Sequence, residues 1–179
     1  MNDQDILNFW FSPEHCSLWF AKSDDFDKKI RDQFADIHQQ ATRAELWYWR
    51  KTPEGRLAEI IVLDQFSRNI YRDQPESFAY DSLALALSQE AISLQLDAQL
   101  NPDQRSFLYM PFMHSESKLI HEFALKLFQR LGNEINLSFE KKHKVIIDRF
   151  GRYPHRNAIL GRVSTPEETE FLLEPNSSF

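Results

Sequence analysis

The chain has 179 residues, 42% of them hydrophobic and 13% aromatic, which predicts a single domain over residues 1–179 with a sizeable core and a loose tail from about residue 174. Its net charge of −6 argues against nonspecific nucleic-acid or anionic-membrane binding, because both need a long-range positive field. Cys16 is the single cysteine, the start is acidic, and no apolar run approaches the roughly 20 residues of a membrane span. We therefore expect a cytoplasmic protein.

The first half of the chain carries helical patterns. Apolar side chains recur at intervals of three and four residues, and Ser23 and the pair Thr52-Pro53 precede two of these repeats as helix-start signals. No Asn-Gly hairpin signal interrupts the patterns. They predict helices over residues 3–11, 24–40, 54–71 and about 75–95.

The second half continues in the same way. Asn101-Pro102 predicts a helix start, and Pro111 predicts that this helix is bent or broken. Further helices are predicted over 115–131 and 138–150, with a short turn from 154 to 161 and a capping box at Thr165–Glu168. Three of the four glycines, Gly132, Gly151 and Gly161, follow helical patterns as C-caps would. The fold prediction is all-α, with stacked antiparallel helix pairs in a tetratricopeptide-like α–α superhelix.

Polar side chains cluster on one arc of the helix that ends near Tyr71. Asp64, Arg68, Asn69 and Arg72 occupy the arc that Leu57, Ile61 and Val62 fill one or two turns earlier. This change from apolar to polar predicts a semi-buried patch, whose charges need partners. One interpretation is structural: Asp64 pairs with Arg68, and Asn69 or Arg72 caps a neighbouring helix.

A second polar group, His114 and Glu116, lies at a predicted helix junction. A histidine beside a carboxylate can serve as a general base or a metal ligand. The chain has no His-Glu-x-x-His spacing, however, and His121 follows seven residues later. The sequence therefore predicts no metal and no cofactor, and a histidine held by a capping network is the favoured interpretation.

The segment Arg149–Arg162 contains four arginines and a histidine in an otherwise acidic chain, and residues 148–162 carry a net charge of +3. Pro154 predicts a helix start with free N–H groups near His155, Arg156 and Asn157. Helix N-termini attract anions, and arginine binds carboxylate or phosphate with two parallel N–H groups. The alternative is an internal ion-pair network with acidic residues such as Asp64 and Glu116.

Several motifs in chain order carry a resemblance to a known family. They are Phe9-Trp-Phe11, Trp19-Phe20, Leu63-Asp-Gln-Phe-x-Arg-Asn-x-x-Arg72, Pro111-x-x-His-Ser-Glu116, Phe150-Gly-Arg-x-Pro-His-Arg-Asn157 and Leu160-Gly-Arg-x-Ser-Thr-Pro-Glu-Glu168. On these motifs the chain resembles the bacterial domain-of-unknown-function 924 family over essentially its whole length. The resemblance implies an all-helical, tetratricopeptide-like fold and brings no established activity.

The polar segments together lead to a functional hypothesis. We expect them to converge on one groove that binds an anionic group: a peptide carboxylate, a phosphate or a small metabolite. The candidate binding residues are Arg68, Asn69, Arg72, His114, Glu116, Arg152, His155, Arg156 and Asn157. One alternative is an enzyme in which His114 or His155 acts as acid or base on a bound anion, and another is a purely structural polar network. The sequence leaves the oligomeric state open.

Overall fold

The computed structural model describes residues 1–178. The chain is 71% helical, and the described residues contain no strand, which confirms the all-α prediction. Within that part, no helix is both long enough and apolar enough to span a bilayer. The α-helices are α1 (Asp3–Trp10), α2 (Pro13–Cys16), α3 (Asp24–Thr42), α4 (Pro53–Ile61), α5 (Ser67–Ile70), α6 (Asp81–Ser93), α7 (Pro102–Met113), α8 (Lys118–Leu131), α9 (Glu134–Phe150) and α10 (Pro166–Phe171). A π-helical turn, Val62–Phe66, joins α4 to α5.

The capping signals in the sequence define several helix ends. The side chain of Ser23 accepts a hydrogen bond from the N–H of Phe26 at the start of α3, and Thr165 and Glu168 form the capping box of α10. Gly132 ends α8 in the left-handed region, with φ 76°, where a residue with a Cβ atom is strained. Local sequence chemistry therefore fixes these helix boundaries, as predicted.

Several helices differ from the prediction: α2 was not predicted, a π-helical turn interrupts the helix predicted over 54–71, and α6 begins only at Asp81. Two further differences concern α7 and α9. Of the two predicted outcomes at Pro111, a bend or a break, the break is wrong, because α7 continues to Met113. Met110 and Phe112, on either side of the proline, are both buried, and their burial favours the helical path that places them there. Helix α9 begins four residues earlier than expected, because the side chain of Asn133 accepts hydrogen bonds from two N–H groups of its first turn.

The chain divides into two compact units. Unit one comprises residues 1–72 and 76–111, and unit two comprises residues 73–75 and 112–179. In unit one, α3 packs against α5 and the π-helical turn, while α4 packs against α1 and α6. An aromatic cluster fills this core: the ring of the fully buried Trp10 lies 5.6 Å from that of Phe66 and 5.5 Å from that of Phe107. Burial of large rings is the main stabilising contribution here.

A tight approach in unit one fixes the start of α4. Thr52 caps the helix by accepting a hydrogen bond from the N–H of Gly55, which faces the 3₁₀ turn Trp47–Lys51. A Cβ atom at residue 55 would lie 2.0 Å from the carbonyl oxygen of Trp49. Glycine is therefore required at this position by the backbone that packs against it.

Unit two contains α8, α9 and α10 and a 3₁₀ turn, Pro154–Arg156. Helices α8 and α9 pack against each other, and a small core of Ile146, Ile147, Tyr153 and Phe171 closes the region after α9. This core is smaller than that of unit one, and polar side chains account for much of the buried material around it. Those polar side chains include most of the candidate site.

Candidate functional site

In unit one, the polar patch predicted on Asp64–Arg72 is buried and bound to a carboxylate of α3. Arg72 donates two hydrogen bonds to Asp27, one of 2.8 Å from Nη2 to Oδ1, and Asn69 donates a third of 2.8 Å. Burial by itself raises the pKa of Asp27, but the hydrogen bonds from Arg72 and Asn69 outweigh it and lower the pKa below its ordinary value. Asn69 and Arg72 thus bind a side chain in the first turn of α3, rather than capping its backbone.

Arg68 is held in the same unit by two further carboxylates. Its Nη1 lies 3.1 Å from Oδ1 of Asp64, which confirms the predicted pair four residues apart, and its two terminal nitrogens lie 2.9 and 3.0 Å from Asp81. Asp64 is fully buried, so the pairing compensates a charge that is costly to remove from water. The contacts of Arg68 and Arg72 favour the structural interpretation for this patch.

In unit two, Glu116 receives three N–H donors. Nη1 and Nη2 of Arg162 lie 2.6 and 2.9 Å from its two carboxylate oxygens, and the main-chain N–H of Tyr153 donates a hydrogen bond of 2.7 Å. Burial alone raises the pKa of Glu116, whereas these hydrogen bonds and the charges of Arg156 and Arg162 lower it below its ordinary value. Glu116 is therefore held as a carboxylate.

A second arginine in the same unit binds both oxygens of one carboxylate through two N–H groups, an arrangement called a fork pair below. Nε and Nη2 of Arg152 lie 2.6 and 2.7 Å from the oxygens of Glu168, the capping residue of α10. The hydrogen bond from Arg152 lowers the pKa of Glu168 to about 2. Asn157 donates to Ser164 and to Glu168, at 3.0 and 3.3 Å. Arg152 and Asn157, both predicted to contact a ligand, are thus engaged by the chain's own groups.

Arg156 is held differently from the other arginines of unit two. It is buried, its Nη2 donates a 3.1 Å hydrogen bond to the carbonyl oxygen of His114, and its guanidinium lies 4.6 Å from the ring centroid of Tyr153. Its charge also lowers the pKa of Glu116, the carboxylate that Arg162 contacts. One carboxylate therefore lies in the field of two guanidinium groups.

Four histidines of unit two lie around Tyr153 and α9. His114 and His155 are partly exposed, whereas His121 and His143 are buried. Burial, with the positive potential of the other three histidines, lowers the pKa of His143 to about 3, although a hydrogen bond to the carbonyl of Phe139 raises it. In residues 1–178, no group of three or more His, Cys, Asp or Glu side chains is arranged to hold a metal ion.

A buried histidine–carboxylate pair supports the same region. Nδ1 of His121 lies 2.8 Å from Glu140, and its Nε2 lies 2.8 Å from the carbonyl oxygen of Ser115. That carbonyl can only accept, so Nε2 carries a proton. Both side chains of the pair are fully buried, and burial raises the pKa of Glu140 despite the opposing hydrogen bond from His121. The pair lies out of reach of solvent and connects α8 to α9.

The structure brings two of the three predicted segments together. In unit two, Arg156 contacts His114, and the main chain of Tyr153 contacts Glu116, so the segments 114–116 and 149–157 meet. The segment 64–72 belongs to unit one. A single groove that includes all three segments stays a prediction.

The chain is similar to known proteins over nearly its whole length. It matches the model of a family described as "Bacterial protein of unknown function (DUF924)" over residues 6–176. The chain belongs to the DUF924 family. Among solved structures, it is similar to a protein of unknown function from Agrobacterium tumefaciens, with 39% sequence identity, 96% of each chain covered and a TM-score of 0.91. A comparison with curated proteins gave no match.

Membership of the DUF924 family confirms the resemblance carried by the motifs and adds no activity. Several residues that shape the site were not identified from the sequence. Arg162 lay inside the arginine-rich segment, and Glu168 was recognised only as a capping residue. Asp27 and Glu140 carry no local signal, because their partners lie 45 and 19 residues away.

Proposed function

We propose that the protein binds a small anionic group in unit two, where Arg156 and Arg162 act on the single carboxylate of Glu116. The shared carboxylate is the observation that carries the proposal. Arg162 contacts this carboxylate directly, the charge of Arg156 acts on it as well, and Arg152 lies nearby in the chain, bound to Glu168. Guanidinium groups directed at one carboxylate form an arrangement that also suits an external anion.

The distribution of charge along the chain supports placing the anion in unit two. Unit one contains 11 Lys and Arg residues and 17 Asp and Glu residues, a net charge of −6. Unit two contains ten of each, a net charge of 0. The acidic excess that would repel an anion therefore belongs to unit one.

Partly exposed side chains supply donors for the ligand. The imidazole of His155 lies beside Tyr153, with 5.6 Å between ring centroids, and the main chain of His114 contacts Arg156. Imidazole N–H groups donate to phosphate and carboxylate oxygens. In this proposal, the partly exposed His114, His155 and Arg162 contact the anion, and the buried Arg156 adds its charge. Arg152 and Asn157 hold the neighbouring chain in place through Glu168.

The proposal assigns a different role to Arg68, Asn69 and Arg72. Their bonds to Asp27, Asp64 and Asp81 support the structural alternative for unit one. We also propose that the chain is one domain of stacked antiparallel helix pairs, tetratricopeptide-like, and that it acts in the cytoplasm, as its sequence led us to expect.

Thermal melts with added anions test the proposal. Phosphate, sulfate and acetate, compared with chloride at constant ionic strength, should raise the melting temperature of the wild type. An anion present at a hundredfold excess over its Kd stabilises the folded state by roughly 2.7 kcal/mol. Arg156→Met should remove the response, Arg156→Lys should retain part of it, and Arg68→Met should leave it intact. An unchanged melting temperature across the anions would favour the structural network instead.

A further inference from the structure

The N–H groups that bind Glu116 are also held in place by hydrogen bonds to other residues. The guanidinium of Arg162 is also fixed by a 2.9 Å hydrogen bond from Nε to Oδ1 of Asn157 and a 3.0 Å hydrogen bond from Nη2 to the carbonyl of Tyr153. Tyr153 is fixed in turn by its hydroxyl group, which donates to the carbonyl of Met113 at 2.6 Å. The three N–H donors around Glu116 would therefore keep their positions if the carboxylate moved away.

This pair differs from the Arg152–Glu168 pair of the same unit, because both of its side chains are partly exposed. The side chains of Glu116 and Arg162 are 25% and 24% exposed, whereas Glu168 is 3% exposed. Glu116 lies in the short connection between α7 and α8, just before Ser117, whose side chain caps α8. Its side chain is partly exposed, so it can turn into solvent while the guanidinium of Arg162 stays in contact with water.

We propose that Glu116 is an internal substitute for the ligand, and that the ligand of the site is a carboxylate. The inference rests on the proposed anion-binding function and specifies its chemistry. A planar carboxylate accepts the two parallel N–H groups of a guanidinium, and a main-chain N–H adds a third donor. The site already binds this chemical group in the same chain, so an external carboxylate binds by replacing it.

Because Glu116 is part of the chain, it competes with any external carboxylate, and we expect the wild-type protein to bind such a ligand weakly. A tethered group competes at an effective concentration in the millimolar range or above. An external carboxylate must exceed this competition before it occupies the fork. Removing the charge of Glu116 removes the competitor and leaves Arg162 to the external ligand.

Titration of Glu116→Gln with acetate tests this exchange. In nuclear magnetic resonance spectra, the signal of the Tyr153 amide reports directly on one donor to Glu116. The signal of the Arg162 Nε–H reports on the guanidinium that supplies the other two. We expect the Kd for acetate to fall at least tenfold relative to the wild type, and acetate to bind more tightly than phosphate. Two further compounds distinguish a small carboxylate from a peptide C-terminus. If N-acetylglycine binds more tightly than acetate, the ligand is a peptide C-terminus. N-acetylglycine amide, which has no carboxylate, should not bind.

Glu59→Gln is the matched control, because it releases Arg50, a guanidinium of the same 24% exposure that is bound in a fork to Glu59 in unit one. A similar gain in acetate affinity in this control would show a generic effect of a released arginine and overturn the inference. So would equal acetate affinities of wild type and Glu116→Gln, or tighter binding of phosphate than of acetate. If wild type and Glu116→Gln bind acetate equally but Arg156→Met does not bind it, this inference fails and the proposed anion-binding function stands.

If no anion binds either protein, both proposals fail. If Glu116→Gln does not fold in chloride, its folding is measured by circular dichroism with acetate added. Recovery of the helical signal in acetate, with none in the amide, supports the inference. A protein that stays unfolded in acetate contradicts it, because the fork would then need its own carboxylate for structure alone.

Discussion

Both units pair arginine guanidinium groups with carboxylates, but the pairs are arranged differently. In unit one, Arg68 and Arg72 are bound by three aspartates, so carboxylates outnumber guanidinium groups in the buried patch. In unit two, the partly exposed Glu116 lies in the field of both Arg156 and Arg162. The difference teaches that an arginine cluster in a sequence is ambiguous until its carboxylates are located, because the balance between the two decides whether positive charge is left for a ligand.

The largest expected effect is the removal of a guanidinium from unit one. Arg72→Met leaves the buried Asp27 carboxylate without its ion-pair partner, and we expect a loss of about 3–5 kcal/mol in the free energy of unfolding. Arg156→Met in unit two should cost less, because it also relieves repulsion from Arg162. Urea unfolding of both variants measures the difference. Equal losses would mean that the arginines of the two units have the same structural role.

The pH dependence of stability gives the next effect. Burial lowers the pKa of His38 in unit one to about 4, below the ordinary value of 6.5. The unfolded chain therefore binds more protons below pH 6.5, so the stability from this histidine is complete above that pH and is lost towards pH 4. The loss at pH 5 should be about 2 kcal/mol. His143 in unit two, with a pKa of about 3, should act in the same direction.

Substitution of His38 by glutamine isolates the contribution of unit one. Nε2 of His38 lies 2.8 Å from Oγ of Ser67, whose own proton goes to the carbonyl of Leu63, so the imidazole donates and a glutamine amide can replace it. The variant should show a smaller difference in unfolding free energy between pH 7.5 and pH 5 than the wild type. An unchanged difference would exclude His38 as the source.

How much the sequence predicts depends on the distance between partners. Caps such as Ser23, the capping box Thr165–Glu168 and the pair of Asp64 with Arg68 lie within four residues, and all are confirmed. The bond from Arg72 to Asp27 spans 45 residues, and that from Arg162 to Glu116 spans 46. Tertiary packing alone brings such groups together, so composition and periodicity could indicate that the charges need partners without identifying them.

A moderate effect is expected at the second fork pair of unit two. Glu168→Ala removes both the partner of Arg152 and the reciprocal cap of α10. We expect a loss of about 1–2 kcal/mol, the usual cost of a missing cap. Thermal melts measure it, and Glu167→Ala, which changes an exposed neighbour, is the control. A loss as large as that of Arg72→Met would place unit two in the structural class of unit one.

The smallest effect should come from an exposed pair. Arg149 and Glu167 lie 2.9 Å apart with side chains 41% and 62% exposed, and water screens such a pair. Arg149→Met should change the free energy of unfolding by less than about 1 kcal/mol. Urea unfolding at low and high salt checks this. A larger, salt-dependent loss would show that unit two depends on its surface charges more than the contacts indicate.

The close contact at Gly55 has a consequence for comparing members of the DUF924 family. A side chain at residue 55 cannot coexist with the present path of the turn Trp47–Lys51, since its first carbon would overlap the Trp49 carbonyl. A relative with alanine or a larger residue there must route that turn differently. Trp47 and Tyr48, which the turn exposes, would then be displaced as well. Position 55 can therefore sort aligned relatives into those that share this surface and those that do not, before any of their structures is determined.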